Sequence, residues 1–126
     1  MRLNQVTIPS TDVPRSIAFY TKLGLKLIVH SNDDYARLLC EDGGSTFSIM
    51  RVDSLEFNEG VHVYFESDRL DEWVSDLKEA GMQFMHEPID QRWLWREARV
   101  KDPDGHTVVL YHAGDNRVNP PWRLKD

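Results

Sequence analysis

The clearest hydrophobic pattern in the chain lies between residues 70 and 80. Apolar side chains recur there at the i, i+3, i+4, i+7 spacing that places them on one face of a helix, at Leu70, Trp73, Val74 and Leu77. Asp68 precedes this segment as a candidate N-cap, and Gly81 follows it as a candidate end. The pattern predicts an amphipathic helix over residues 70–80.

A similar apolar stripe occurs near the N-terminus, at Val13, Ile17 and Tyr20. Thr11 and Asp12 precede it as capping residues, Pro14 suits a first helical turn, and Gly24 is placed to end the helix. We therefore predict a second helix of matching length.

The remaining segments alternate or are rich in β-branched and aromatic residues, which is typical of strands. After the first helix these are "LKLIVH", "YARLLCE" and "STFSIMRV"; after the second they are "MQFMHE", "REARVK" and "HTVVLYH". The sequence "DPDG" at residues 102–105 favours a tight turn that joins the last two strands as a hairpin. With one strand before each helix, each half reads β-α-β-β-β, so the predicted class is α+β.

The two halves also align with each other at a single offset. Gln5 then falls on His62, Tyr20 on Leu77 and Gly24 on Gly81. We expect one domain over residues 1–126, with module one at about 1–53, module two at about 60–112, and a polar, extended C-terminal tail at 113–126. Trp122 is the residue expected to hold that tail against the surface.

Strand alternation assigns side chains to two faces. Residues such as Val6, Ile8, Phe47 and Ile49 should face the helices. The opposite face then collects polar and aromatic residues: Gln5, Thr7, Thr46, Ser48, Met50, His62, Tyr64, Glu66, Thr107, Val109 and Tyr111. Such a face is either solvated or lines a ligand cleft. Its two tyrosines, its histidine and its scarcity of Lys and Glu favour the cleft.

Composition narrows the function classes. The chain has 126 residues, a formal net charge of −6 and no basic block, so nucleic acid is not an expected partner. No apolar run is long enough to cross a membrane, and "MRLNQVTIP" lacks the apolar core of a signal peptide, so we expect a cytoplasmic protein. The lone Cys40 cannot form a disulfide within the chain, which agrees with a reducing compartment.

The segments "LNQVTIPSTDVPRSIAFYTKLGLKL", "GVHVYFESDRLDEWVSDLKEAGMQF" and "VKDPDGHTVVLYH" together resemble the vicinal oxygen chelate superfamily, over about residues 3–112. This superfamily includes glyoxalase I, bleomycin-resistance proteins, fosfomycin-resistance enzymes and extradiol dioxygenases. The resemblance implies paired βαβββ modules whose curled mixed sheets form a cleft, commonly completed in a homodimer. In metal-dependent members, the first and last strand of each module supply four metal ligands drawn from His, Gln and Glu.

Carried over to this sequence, those ligand positions are Gln5, Ser48, His62 and Val109. Valine cannot ligate a metal and a neutral serine hydroxyl is a poor ligand, so no negative charge remains to offset a divalent ion. The sequence therefore predicts no metal and no cofactor. Weak binding of a divalent ion by Gln5 and His62 is the alternative.

Two functions remain open. The first is a metal-free protein that binds and sequesters a planar or cationic small molecule, closest in character to the bleomycin-resistance proteins. Trp93 and Trp95 would form one wall of its cleft if both lie on one strand, and Glu66 would tolerate a cation. The second is a lyase-like or dioxygenase-like enzyme that acts on a small oxygenated substrate, with or without a divalent metal. In it His62 would act as general base, and Tyr64 or Tyr111 would donate to an oxyanion. The predicted ligand-binding residues are Gln5, Thr7, Ser48, His62, Tyr64, Trp93, Trp95, Val109 and Tyr111.

Overall fold

A computed structural model describes residues 1–56 and 61–125. The chain forms two compact units, the first comprising residues 1–58 and 102–105 and the second comprising residues 59–101 and 106–126. Within the described residues, each unit contains one α-helix and one four-stranded sheet.

The first unit follows the order β-α-β-β-β. Its elements are β1 (Gln5–Ser10), α1 (Val13–Leu23), β2 (Lys26–Ser31), β3 (Tyr35–Leu39) and β4 (Thr46–Arg51). The strands lie in the order β1-β4-β3-β2, with β1 parallel to β4 and the other pairs antiparallel. This mixed sheet confirms the predicted α+β module.

Helix α1 begins and ends where the sequence predicts. The side chain of Asp12 accepts a hydrogen bond of 3.1 Å from the backbone N–H of Arg15, which satisfies a donor that the first turn leaves unpaired. Gly24 ends the helix with a φ of 127°, a backbone conformation that would be strained in a residue with an L side chain. Between these ends, Val13 and Tyr20 are buried as predicted.

Strand β2 lies at one edge of the first sheet and is irregular. Its register against β3 shifts between Leu27 and Val29, which is a β-bulge. Ile28, between them, is 45% exposed. The bulge bends the strand locally and increases its twist.

The "DPDG" segment forms the predicted turn between the last two strands, β7 (Arg96–Lys101) and β8 (Thr107–His112). The Gly105 N–H donates to the Asp102 carbonyl at 2.9 Å. The Asp104 carboxylate accepts hydrogen bonds from the hydroxyls of Ser10, Thr11 and Ser16. Burial would raise the pKa of Asp104, but these bonds hold it below its usual value. The turn therefore belongs to the first compact unit, although β7 and β8 belong to the second.

The second unit repeats the order. Its elements are β5 (His62–Glu66), α2 (Leu70–Glu79), β6 (Ile89–Asp90), β7 (Arg96–Lys101) and β8 (Thr107–His112). The strand order is β5-β8-β7-β6, with β5 parallel to β8 and the other pairs antiparallel. Helix α2 buries Leu70, Val74 and Leu77, three of the four residues of its predicted stripe.

Three local expectations in this half were wrong. "MQFMHE" is not a full strand: Phe84 makes an isolated bridge to Val100, and the edge strand is the two-residue β6. Asp68 does not cap α2, because Arg69 occupies the N-cap position and makes no side-chain capping bond. The tail is not extended at its start, since Gly114–Arg117 form a 3-10 helix.

Trp122 does not hold the tail down, because it is 57% exposed. Among the residues that the structure describes, no helix has the length and apolar character needed to span a bilayer.

Candidate functional site

The polar residues predicted on β1 and β4 form one hydrogen-bonded network. The parallel register places Gln5 beside Thr46 and Thr7 beside Ser48, so the four side chains share a face. Gln5 Nε2 donates to Ser48 Oγ at 2.7 Å and to Thr7 Oγ1 at 3.2 Å. The structure therefore brings together the three predicted site residues of the first unit.

The orientation of the Gln5 amide follows from its acceptors. Nε2 lies 3.3 Å from the backbone carbonyl oxygen of Val6, which can only accept a hydrogen bond. Oε1 is thereby directed to Thr46, whose hydroxyl donates to it. The amide oxygen that would ligate a metal is already engaged within the protein.

Two residues of β3 extend this network, and neither was predicted. The Tyr35 hydroxyl lies 2.7 Å from Ser48 Oγ, and Arg37 Nε donates to the Tyr35 oxygen at 3.0 Å. The hydrogen bond with Ser48 lowers the pKa of Tyr35, and Arg37 adds to this against the opposing effect of burial. Strand alternation along "YARLL" could have predicted both residues. Tyr35 lies across from Met50 and Arg37 across from Ser48, so both share the face of the predicted residues.

In the second unit, three of the predicted residues form an aromatic cluster. Trp95 stacks on Tyr111 with ring centroids 4.8 Å apart and an interplanar angle of 26°. Tyr64 meets both rings edge-on, at 5.7 Å from Trp95 and 5.4 Å from Tyr111. Burial raises the pKa of Tyr111, and the nearby Glu66 carboxylate adds to this. Tyr111 therefore lies on the buried side of the cluster, while Tyr64 is 40% exposed.

Trp93 does not share a strand face with Trp95, so the prediction of a two-tryptophan wall was wrong. Residues 91–95 form the loop between β6 and β7, in which Leu94 has a φ of 69°. Trp93 Nε1 instead donates to Glu97 Oε2 at 2.9 Å. Loop geometry overrides strand alternation here, and Trp93 serves as an anchor for the loop.

Glu97 and Arg99 of β7 were not predicted. The Glu97 side chain is only 1% exposed, and its second oxygen receives Arg99 Nη2 at 3.3 Å. Arg99 pairs in register with Val109, and Glu97 with Tyr111. A period of two along "REARVK" again places both residues on the predicted face.

The remaining predicted residues of this unit are Val109 and His62. Val109 has no exposed surface and packs with Tyr111, Ala113 and Trp95, so it is a core residue. His62 is partly buried on β5, in register with Thr107 of β8.

Glu66, on the same strand as His62, is already engaged by the C-terminal segment. One of its oxygens accepts the backbone N–H groups of Ala113 at 2.8 Å and Gly114 at 3.0 Å. Partial burial would raise the pKa of Glu66, but these two bonds, His112 and Arg117 hold it below its usual value. Its charge is therefore used within the protein, which weakens the expectation that it serves a cationic guest.

The ligand positions implied by the family resemblance do not fit a metal. In the first unit the Gln5 oxygen is engaged and Ser48 is a neutral, buried hydroxyl; in the second, Val109 is aliphatic. Across residues 1–56 and 61–125, no three His, Cys, Asp or Glu residues are grouped so that they could hold a metal ion. Zinc and similar ions prefer imidazole, thiolate and carboxylate ligands.

Two surface cavities of the second unit lie away from the predicted residues. One of about 390 Å³ is lined by Glu66, Ser67, Arg69, Glu72, Trp73 and Asp76. The other, of about 280 Å³, is lined mainly by residues of α2 and the segment that follows it. Neither contains any of the nine predicted ligand-binding residues.

A family model described as "Glyoxalase/Bleomycin resistance protein/Dioxygenase superfamily" matches residues 2–110. The probable trivalent organoarsenical cleaving enzyme of Bacillus subtilis (strain 168) is 26% identical over 125 residues, covering 92% of this chain and 83% of that protein.

Solved structures share the fold. A bleomycin-binding protein complexed with bleomycin has a TM-score of 0.74 and 22% identity, covering 89% of this chain and 98% of that chain. Lactoylglutathione lyase from Agrobacterium tumefaciens has a TM-score of 0.74 and 15% identity, covering 98% of this chain and 97% of that chain. Proteins of one fold carry different activities, so the shared fold does not by itself determine the function of this chain.

Proposed function

This chain belongs to the glyoxalase/bleomycin resistance protein/dioxygenase superfamily, and on that premise we propose that it binds a planar small molecule without a resident metal ion. The aromatic rings on the sheet face opposite the helix in the second unit supply the binding surface. The bleomycin-binding protein of the same fold is a relative whose described role is binding.

The aromatic cluster of Tyr64, Trp95 and Tyr111 is the observation that carries this proposal. Tyr111 is buried and fixes the plane of Trp95 by stacking, while Trp95 and Tyr64 retain accessible surface. A ring held in place before binding loses little conformational freedom when a guest stacks on it. Each aromatic contact adds about 0.5–1.5 kcal/mol beyond the burial of its area.

The donor set supports the metal-free part of the proposal. The first-strand and last-strand residues are an engaged amide, a buried hydroxyl, one imidazole and one aliphatic side chain. These residues do not match the ligand preferences of a divalent ion.

Planarity, rather than positive charge, is the property of the guest that the site selects. The expectation of a cationic guest came from Glu66 and the net charge of −6. Because Glu66 is bound by Ala113, Gly114 and Arg117, its charge is largely compensated. Net charge alone mainly affects solubility and nonspecific attraction.

Tryptophan substitutions test the proposal. The wild-type protein is screened by thermal shift against bleomycin and a set of planar aromatic compounds, and each hit is then titrated by a direct binding measurement. We expect Trp95→Leu to weaken binding of the hits by about tenfold or more, the equivalent of one lost stacking contact. Trp122→Leu, which changes an exposed tryptophan of the tail, is the control and should retain the affinity. Equal affinities of the two variants for every hit would contradict the proposal.

Metal analysis tests the other half. After dialysis, the protein should carry much less than one equivalent of Zn, Ni, Fe or Mn. A stoichiometric ion that His62→Ala releases would show the metal-free reading to be wrong.

Metal-free catalysis is the second candidate function. Two observations favour it: the relative named as a probable trivalent organoarsenical cleaving enzyme, and the tyrosine of lowered pKa on the sheet face of the first unit. A tyrosine whose pKa is lowered gives up its proton more readily, which suits a group that donates a proton during a reaction. Turnover of a trivalent organoarsenical or of a methylglyoxal–thiol adduct, lost in Tyr35→Phe with the fold retained, would establish this function.

The homodimer implied by the family resemblance also stays a proposal. Light scattering coupled to size-exclusion chromatography checks it, and a mass of one chain at micromolar concentration would contradict it.

A further inference from the structure

The sheet of the first unit contains no acidic residue. Strands β1 to β4 have the sequences QVTIPS, KLIVHS, YARLL and TFSIMR, although the chain has 21 Asp and Glu residues. The strands of the second unit, by contrast, include Glu66, Asp90 and Glu97. No carboxylate on the strands of the first sheet would repel a negatively charged ligand.

Arg37 places a positive charge on this sheet. It lies across from Ser48 in the register of β3 and β4, with its guanidinium carbon 5.5 Å from the centre of the Tyr35 ring. Nε donates to the Tyr35 oxygen, and no carboxylate among residues 1–56 and 61–125 lies within 4.0 Å to form an ion pair with Arg37. The N–H groups on Nη1 and Nη2 thus have no acceptor in the described part of the protein.

Arg99 of the second unit provides a contrast. Arg99 lies on β7, beside the last strand of its unit, as Arg37 lies on β3 beside β4. It is across from Val109. Its guanidinium, however, pairs with the buried Glu97 at 3.3 Å. Of these two equivalent arginines, Arg37 is the one whose charge is not paired with a carboxylate of residues 1–56 or 61–125.

The direction of the hydrogen bonds leaves the Tyr35 proton available as well. Ser48 has no exposed surface and accepts from Gln5 Nε2, so its own proton needs an acceptor inside the protein. The Tyr35 oxygen, 2.7 Å away, is that acceptor, and it also accepts from Arg37. With both acceptor positions of its oxygen filled, the Tyr35 hydroxyl is free to donate its proton to a ligand.

We propose that Arg37 and Tyr35 form a binding site for the carboxylate group of a small molecule. This inference goes beyond the proposed function, because it concerns the sheet face of the first unit and not the aromatic cluster of the second. A carboxylate accepts two hydrogen bonds in the fork geometry that a guanidinium offers, and Arg is therefore the usual partner where a carboxylate is bound specifically. The hydroxyl of Tyr35, whose oxygen is 3.0 Å from Arg37 Nε, supplies a third donor.

Benzoate and benzamide are the probes, because they share a ring and differ in charge. At constant ionic strength, backbone amide resonances of wild-type residues 35–37 and 46–50 are followed by NMR while each probe is added. We expect benzoate to shift these resonances with an affinity at least about tenfold higher than that of benzamide. Benzoate binding should also raise the midpoint of Tyr35 ionisation, since a bound anion disfavours a phenolate beside it.

Matched variants separate the carboxylate site from general electrostatics. Arg37→Gln should abolish the preference for benzoate, whereas Arg51→Gln, which removes an exposed arginine from β4 of the same sheet, should retain it. Tyr35→Phe should weaken benzoate binding severalfold. Equal responses to the two probes, no response to benzoate at about 50 mM, or an unchanged preference in Arg37→Gln would overturn the inference.

The two proposals fail in different ways. If Trp95→Leu weakens binding of planar compounds but benzoate and benzamide are equivalent, the carboxylate site is wrong and the proposed function stands. If benzoate binds at Arg37 but Trp95→Leu leaves the affinity of every planar hit unchanged, the proposed function is wrong and the carboxylate site stands.

Discussion

The hydroxyl of Tyr20 donates a hydrogen bond of 2.6 Å to Oδ2 of Asp102, and both side chains are buried. This bond joins the middle of α1 to the "DPDG" turn within the first compact unit. Burial raises the pKa of Tyr20, and the Asp102 carboxylate adds to this. Two of the segments that carry the family resemblance, the one that contains Tyr20 and the one that contains "DPDG", are therefore in direct contact.

Tyr20→Phe should lower the free energy of unfolding by about 1–3 kcal/mol, because the Asp102 carboxylate loses a buried donor. Urea denaturation measures the change. Tyr64→Phe is the matched control: its hydroxyl makes no hydrogen bond in the described structure, so a change within about 0.5 kcal/mol is expected. Equal losses in the two variants would contradict the role of the Tyr20 bond.

Tyr20 also predicts a loss of stability at high pH. Its pKa is raised in the folded state, so its stabilising effect is complete below the ordinary tyrosine pKa of about 10 and is lost as the pH rises above it. Wild-type stability should fall more steeply above pH ~10 than that of Tyr20→Phe. Parallel curves for the two proteins would count against the prediction.

The lowered pKa of Asp104 predicts that the stability of the protein falls at acidic pH. Its pKa is lowered in the folded state, so its contribution is present above the ordinary aspartate pKa and is lost as the pH falls below it. Asp104→Asn should therefore be less stable than wild type at neutral pH, and the difference should shrink toward pH ~3. Asp53→Asn, whose side chain is 93% exposed, is the control and should follow the wild-type curve.

The ionisation of Tyr35 can be followed by ultraviolet absorbance during an alkaline titration. Because its pKa is lowered while burial raises those of Tyr20 and Tyr111, Tyr35 should ionise before them. Ser48→Ala should move this early transition to higher pH by removing the hydrogen bond from Ser48. An early transition that persists in Tyr35→Phe would assign it to another residue and refute the expectation.

Trp93→Phe should destabilise the protein by about 1–3 kcal/mol, since it leaves Glu97 Oε2 buried without its indole donor. Trp122→Phe, at an exposed site, should change stability by less than about 0.5 kcal/mol. Thermal unfolding of both variants measures the difference. If Trp93→Phe were as stable as Trp122→Phe, the anchoring role of the indole would be wrong.

Period-two alternation predicted the parts of the site that lie within regular strands. Gln5, Thr7 and Ser48 share a face because β1 and β4 pair in register, and Tyr64 and Tyr111 share one for the same reason. The rule holds wherever ladder hydrogen bonds fix the pleat. Applied to β3 and β7, it would also have found Tyr35, Arg37, Glu97 and Arg99.

Other features depend on contacts that alternation does not encode. Trp93 lies in a loop where Leu94 adopts a positive φ, so its direction is set by the bond to Glu97. Helix α2 begins without a side-chain cap, although Asp68 was the candidate N-cap. The helix can form without it because helices gain much of their stability from packing of their apolar face. Engagement of Glu66 by the backbone after β8 could not be read from spacing, since the two segments are far apart in sequence.

The bulge in β2 has a consequence for the solubility of the chain. An edge strand with exposed Leu27 and Ile28 offers unpaired backbone groups and apolar side chains to any other extended chain. A straight edge would be a template for fibre growth, and the register shift between Leu27 and Val29 interrupts it. Deleting Ile28 would restore a continuous ladder, and the same sequence would then be more prone to aggregate through this edge than to remain dispersed.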